Sequence, residues 1–491
     1  MLLKLEIPPG VVRKGTEYQS AGRFYDTNLV RWREGSLRPV GGWDARSQNA
    51  VSGMARGMLV WRDGSNNAWI GIGTHTGLYV QDRGGNLYNI TPSSFTAGRP
   101  DAVTGGGYGG GPYGSGTYGT PRPDTTQILD ATTWSLDSWG PDLVGVSTED
   151  NNIVQWNLNT STSAAMITNS PSAAAIVVTA DHMIMALAAN NDPRRVAWCD
   201  QADNTIWTGA ANNTAGGEDL QTNGRLMCGC LIQAGTLLWT DVDVWLATNL
   251  QNVDVYGFIR VGDGCGIISR HAAVAVNIQA FWMGERGFYT YNGFTVQPLP
   301  CDVSEYVFGN MNTLQASKVF AWHNADFDEI WWFFPSAAST EIDSYVAWSY
   351  KEGHWTVGQL VRTAGSDREV LLNPLLIGTN GIVYEHETGL IWNGAMPYAR
   401  SGPLTLGDGD KVMMARQLWP DDKTLGDVSA SFYTRLYTDD APTVVGPITL
   451  SSSRTDVRFT ARYVEVLYQA TGPNDFRVGT PTLEVVAGGL R

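Results

Sequence analysis

Short apolar runs separated by tight polar turns follow one another along most of this chain, and within each run the side chains alternate with period two. Gly77-Leu78-Tyr79-Val80 leads to Leu87-Tyr88, and Ile153-Val154-Gln155-Trp156 and Gly287-Phe288-Tyr289-Thr290-Tyr291 have the same form. Two distant stretches nearly coincide, Val196-Ala197-Trp198 … Ile206-Trp207-Thr208 and Val346-Ala347-Trp348 … His354-Trp355-Thr356. Each reads as an apolar strand, a polar turn and a second strand bearing a tryptophan. A further copy is Gly381-Ile382-Val383-Tyr384 … Ile391-Trp392. An aromatic hairpin that recurs in this way predicts repeated small antiparallel sheets. Such sheets cannot bury a face alone, so they are expected to stack radially as the blades of a β-propeller.

The predicted blade cores centre on Leu59–Ile90, Thr133–Ile167, Ala174–Trp207, Leu226–Ile259, Ala272–Leu299 and Val319–Leu360. This makes six blades, with the Leu371–Trp392 hairpin completing the first. A seven-bladed ring, with that hairpin as its own blade, is the alternative. The expected domains are an N-terminal arm over residues 1–45, a propeller over 46–393 and a C-terminal β domain over 394–491. In the last of these the alternation lengthens, as in Ala430–Tyr437 and Arg462–Tyr468, and predicts half-buried strands of a small β-sandwich that shares a platform with the arm. The propeller is interrupted by an insertion at 91–127, whose centre carries Tyr108, Tyr113 and Tyr118 at five-residue intervals among glycines. Glycine and proline at this density hold neither core nor helix. The insertion reads either as a surface loop or as a tyrosine-bearing finger that orders against neighbouring subunits, a channel or gate loop.

Composition strengthens the all-β reading. Only 16% of the 491 residues are charged, while 56 are glycine and 19 tryptophan, both poor helix formers. The balance of 48 acidic against 33 basic residues gives −15, which argues against a surface built to grip phosphate backbones. The opening Met1–Glu6 has no apolar leader segment, and no apolar run approaches the ~20 residues of a membrane helix. Synthesis in a reducing cytoplasm is therefore expected. Cys199, Cys228, Cys230, Cys265 and Cys301 lack zinc-type spacing and are expected as buried or part-buried free thiols.

Candidate chemistry is sparse. The six histidines are dispersed and are expected at turns or on the surface, and there is no Gly-x-Ser-x-Gly elbow. Asp241 and Asp243, at i and i+2, are placed on one face of a strand, where they could bind a cation or act as an acid–base pair. Asp326, Asp328 and Glu329 read as a solubilising hairpin tip, and Asp408-Gly409-Asp410 as a turn. No catalytic residue, metal site or cofactor is assigned, so a binding rather than catalytic protein is expected.

The block Ile7-Pro8-Pro9-Gly10-Val11-Val12 … Gly15-Thr16-Glu17-Tyr18-Gln19 … Gly22-Arg23-Phe24-Tyr25-Asp26 … Asn28-Leu29-Val30-Arg31-Trp32-Arg33 … Gly35-Ser36-Leu37-Arg38-Pro39-Val40-Gly41-Gly42-Trp43 resembles the start of tail-nozzle proteins of short-tailed bacteriophages, also called packaged-DNA stabilisation proteins. The likeness continues through the Gly/Tyr insertion and the aromatic hairpins to about residue 393; beyond it only the general β character is similar. The resemblance implies a non-catalytic six-bladed propeller in the virion tail, assembled as a hexamer beneath the portal's head-to-tail adaptor ring. There it would extend the DNA channel, retain the packaged genome and allow its ejection. Implied partners are the adaptor, tail needle, fibre or tailspike proteins, double-stranded DNA passing without sequence recognition, and transiently the host envelope. Tyr18, Arg23, Phe24, Tyr25, Arg31, Trp32, Arg33 and Arg38 mix arginine with aromatics as interface anchors do, and are the candidate assembly surface. Deleting residues 1–43 is then expected to leave a folded propeller. The rival reading is a propeller-type tail protein that binds or hydrolyses host-surface glycans.

Overall fold

The computed structural model describes the chain except residues 105–127, 253, 369, 408, 410, 422, 424, 451–452 and 489–491. The aromatic hairpins build seven four-stranded antiparallel sheets, six of them laid down in chain order from the inside outwards. Their innermost strands are Ala55–Arg62, Trp134–Trp139, Ala175–Val178, Leu226–Ile232, Ala273–Val276, Phe320–Asn324 and Ala364–Ser366. Each lies beside the next, and Ala364–Ser366 lies beside Ala55–Arg62, so the ring closes as a β-propeller. We number the blades 1 to 7 in this order.

The six-blade expectation is thereby corrected. The Leu371–Trp392 region does not complete blade 1; Leu375–Ile377 and Val383–His386 join Ala364–Ser366 in a seventh sheet. The outer strand of that sheet is Trp43–Ala45 from the arm, in the register Trp43↔His386, Asp44↔Glu385 and Ala45↔Tyr384. Ile391-Trp392 forms no strand; Trp392 is buried and donates its indole N–H to the Val40 carbonyl at 2.9 Å. The two near-identical tryptophan sentences also diverge. Ser344–Ser349 and His354–Gln359 are adjacent strands of blade 6. In blade 3, by contrast, Trp207 lies in a loop and the outer strand is Gly216–Asp219.

Convergence of the inner strands at the axis explains their small residues. A Cβ on Gly57 would lie 2.6 Å from the Trp134 carbonyl oxygen, and one on Gly229 would lie 2.9 Å from Val177 Cγ1. Between blades the core is aromatic: Trp134, Trp239, Trp282, Trp331, Trp332 and Trp355 are fully buried.

The C-terminal region forms two packed sheets. One contains Phe24–Asn28, Tyr398–Ser401, Tyr463–Ala470, Val428–Arg435 and Thr443–Thr449; the other contains Leu2–Lys4, Thr482–Ala487, Met413–Trp419 and Thr455–Ala461. Strict alternation of buried and exposed positions along Thr455–Ala461 marks a strand with one face inward. Phe432 and Phe459 meet across the sheets with centroids 5.0 Å apart. The arm contributes a strand to each sheet, and between them the hairpin Val30–Arg33/Ser36–Pro39 lies where propeller and platform share one continuous core.

Candidate functional site

The starts of the inner strands frame an axial throat of about 200 Å³, which opens into a mouth of about 400 Å³. Thr133, Arg270 and Ser317 line both. At ~30 Å³ per water the throat holds only a handful of molecules. A duplex, whose major groove alone is ~12 Å wide, does not pass along this axis.

The throat is polar and cationic. Arg56, 2% exposed in blade 1, donates from Nη2 to Glu341 at 2.5 Å, whereas its Nε and Nη1 have no hydrogen-bond partner among the described residues. Arg270 precedes the inner strand of blade 5 and donates from Nη1 to the Met227 carbonyl at 2.8 Å. Burial, and then the charge of Arg225, push its pKa down to about 10. Lys318 ends the short turn Thr313–Lys318 ahead of blade 6; its buried Nζ donates to Asp101 and to the Thr340 carbonyl. Desolvation lowers its pKa against the pull of Asp101 and Glu341. His271 is held neutral, its pKa pushed down to about 4 by burial and by Arg270. Its ring faces the carbonyls of Trp134 and Arg56, while Nε2 makes no hydrogen bond. The hydroxyls of Thr133 and Ser317 also lack a hydrogen-bond partner among the described residues.

Asp137 lies at the deep end of the throat, four residues along the blade 2 strand from Thr133. Its carboxylate accepts the backbone N–H groups of Val178 at 2.7 Å and Ser138 at 2.8 Å. Burial nevertheless lifts its pKa to about 6. In the mouth, Arg225 bridges Asp130 at 3.6 Å and Asp241 at 3.4 Å, and Glu285 lines the wall.

The insertion starts at this mouth. Its two-stranded stem, Val103–Thr104 against Ile128–Leu129, stands on the rim. Below it, Gln315 exchanges hydrogen bonds with the N–H and carbonyl of Ala102 at 2.9 and 2.8 Å. Tyr108, Tyr113 and Tyr118 lie outside the described residues.

The structure redistributes the other sequence candidates. Phe24, Trp32 and Arg31 are 5%, 4% and 3% exposed, so they form no open assembly surface. Phe24 packs on Trp32 at 4.9 Å, and Trp32 packs edge-on against His354. Arg31 forks onto Glu329 through Nε and Nη2, each at 3.0 Å, and onto Glu387 through Nη1 at 2.9 Å and Nη2 at 2.6 Å. Tyr18 stacks edge-on against Tyr463, Tyr25 lies over Arg13, and Arg23 donates to the Pro9 carbonyl. Arg33 is exposed and Arg38 half-buried. This anchor composition therefore serves mainly to join arm, propeller and platform within one chain.

Asp241 and Asp243 do not share a strand face. Asp241-Val242 turns between two strands of blade 4, while Asp243 is 1% exposed and accepts hydrogen bonds from Thr240, Thr222 and Trp245. Asp326 and Asp328 pair at the surface with Arg368 and Lys351, but Glu329 is buried under Arg31, contrary to the hairpin-tip expectation. Histidines too are more buried than expected. His386 stacks on Trp43 and His182 on Trp139, and His354 is 9% exposed. Burial raises the pKa values of Cys199 to about 11 and of Cys265 and Cys301 to about 12, so these three thiols are not activated. Among the described residues no group of acids, histidines and cysteines is arranged to hold a metal.

Reading the sequence missed the throat. Its signal is a basic residue at or just before an inner strand, repeated at Arg56, Arg225, Arg270 and Lys318 in phase with blades 1, 4, 5 and 6.

No family model and no curated protein matches the sequence. Among solved structures, the chain is similar to virginiamycin B lyase from Staphylococcus aureus at 9% identity, covering 70% of this chain and 99% of that one, with a TM-score of 0.42. The WD40 domain of Pan2 from Neurospora crassa matches at 9% identity over 74% of this chain and 98% of that one, TM-score 0.39. An exo-β-1,3-galactanase from Phanerochaete chrysosporium matches at 9% identity over 91% and 100%, TM-score 0.31. The likeness is one of architecture, and nothing about chemistry follows from it.

Proposed function

We propose that this chain is a structural subunit of a short-tailed phage tail, a nozzle protein that assembles as a closed ring of six beneath the portal adaptor. The observation that carries the reading is the block Ile7–Trp43. It bears the sequence resemblance, and it is also the segment that supplies platform strands, fills the propeller–platform junction and leads into the closing strand of blade 7. A resemblance concentrated in the stretch that organises the whole fold has more weight than one in a surface loop. The charge is consistent with a conduit: six chains at −15 carry about −90, a wall that releases rather than binds a passing duplex. Because the axial throat is too small for DNA, the conduit would lie between subunits, and retention would fall to loops that narrow it.

The test is electron microscopy of the purified protein alone and mixed with a head-to-tail adaptor protein. Six-fold rings docked on the adaptor are expected. A chain that stays monomeric, ignores the adaptor and hydrolyses a glycan panel would overturn the proposal in favour of the glycan-directed alternative.

A further inference from the structure

The axial throat gathers buried donors that have no protein acceptor among the described residues. Arg56 Nε and Nη1, Thr133 Oγ1 and Ser317 Oγ have no protein partner there among the described residues, and the Arg270 guanidinium is hydrogen-bonded to a carbonyl. Buried polar groups in native proteins are normally satisfied, and a buried cation without a counter-charge is costly. The acids in contact are already engaged: Asp101 with Lys318, and Glu341 with Arg56 and, at 3.9 Å, with Lys318. Arg270 makes no ion pair among the described residues, the acids that act on it, Asp130 and Asp241, being bridged by Arg225. Asp137 does not supply a counter-charge at the mouth end, since four residues of strand place it ~13 Å deeper.

We propose that the throat is an anion-binding site for the phosphate group of a small phosphorylated molecule, whose remainder occupies the 400 Å³ mouth. The spread of the donors over separate elements favours phosphate over carboxylate. The donors come from blades 1, 2 and 5 and from the turn before blade 6, surrounding the axis. A tetrahedral anion presents oxygens to several sides, whereas a carboxylate presents one planar edge that suits a single guanidinium fork. Arg225, Asp130 and Glu285 in the mouth can contact the rest of the ligand. This site is independent of the nozzle reading and needs no oligomer.

Isothermal titration of the full chain in chloride buffer tests it, with inorganic phosphate, glycerol 3-phosphate and acetate as probes. One site per chain is expected for both phosphates, with acetate at least about tenfold weaker. Arg270→Gln should weaken phosphate at least about tenfold, the loss of one charge-assisted hydrogen bond. Arg270 holds no carboxylate, so the variant leaves no acid orphaned; circular dichroism and Tm verify its fold. If it does not fold, the doubly conservative Thr133→Val/Ser317→Ala chain decides, with an expected weakening of about three- to tenfold. Absence of saturable binding up to about 10 mM overturns the site. So does unchanged affinity in the folded variant. Acetate binding as tightly as phosphate overturns the assigned ligand class.

Discussion

Replacing Arg31 by methionine should loosen the joint between arm and propeller more than any surface change in this chain. The guanidinium is 4% exposed, lies 3.6 Å from the centroid of the Phe327 ring, and is shared by Glu329 and Glu387. Methionine keeps most of the volume but leaves two carboxylates in a poorly hydrated site. Removing one partner of a buried pair typically costs about 3–5 kcal/mol. Both acids retain some donors, Trp331 Nε1 at 2.9 Å for Glu329, and Gly41 N–H and Asn324 Nδ2 at 2.9 and 2.8 Å for Glu387. These place the expected loss towards the lower end, about 3 kcal/mol. Adding Glu329→Gln to Arg31→Met should recover about 1 kcal/mol by removing one orphan charge. The pH dependence has a definite sign. Burial already raises the pKa of Glu329, with Arg31 opposing it. Without Arg31 the folded value rises further above the unfolded value of ~4.3, so the stabilising protonated form is complete below that pH and is lost as pH rises through the folded value. The deficit of Arg31→Met should therefore be largest near pH 8 and shrink towards pH 5. Urea unfolding followed by tryptophan fluorescence at both pH values measures it. A deficit below ~1 kcal/mol, or one that does not change with pH, would refute the assignment of this cluster as the arm's buried anchor.

Trp43→Ala should cost about 3–5 kcal/mol, since the ring is 6% exposed, stacks on His386 and underlies Arg362 in the closing strand. Deleting residues 1–43 should give an insoluble or protease-sensitive chain rather than the folded propeller expected from sequence, because it removes platform strands and Trp43 itself; limited proteolysis of the two chains decides. Asp137, with a folded pKa raised to about 6, stabilises fully below its unfolded value and progressively less as pH rises through 6. The stability difference between parent and Asp137→Asn should consequently shift by roughly 2–3 kcal/mol in the variant's favour between pH 4 and pH 8, read by denaturant midpoints. Changing Tyr108, Tyr113 and Tyr118 to serine should leave Tm unchanged, because the stem at Val103–Thr104 and Ile128–Leu129 and the Gln315–Ala102 clamp remain. On the nozzle reading it should also raise the nuclease sensitivity of filled virions; equal protection would move the gate elsewhere.

The blades were legible because their determinants are local. An antiparallel hairpin announces itself through two apolar runs and a turn, and the predicted cores at Leu59–Ile90, Thr133–Ile167, Leu226–Ile259 and Val319–Leu360 coincide with blades 1, 2, 4 and 6. The blade count was not, because it depends on a pairing between Trp43–Ala45 and Val383–His386 across more than three hundred residues of chain. Nothing in a three-residue strand specifies so distant a partner. The arm misled for a related reason: arginine among aromatics is the composition of an interface, and an interface within one chain looks the same as one between chains. Arg31 and Trp32 make the contacts of interface anchors, but with Glu329, Glu387 and His354 of the same molecule.

The throat was invisible for a different reason, since its members are single residues on separate blades, and only closing the ring makes neighbours of Arg56, Arg270 and Lys318. Composition also points away from it. A net charge of −15 disfavours a long polyanion, whose binding depends on many exposed cations releasing counterions together. It says little about one buried phosphate. Exposed charges beyond a Debye length of ~8 Å are largely screened, whereas unscreened donors in contact with the ligand are not. The same chain can therefore repel a duplex along its outer surface and hold a single phosphate at its axis. The two kinds of binding differ in salt dependence. Attraction of a polymer would collapse between low and physiological salt, whereas the axial site, making its contacts to one group, should weaken only slightly over that range.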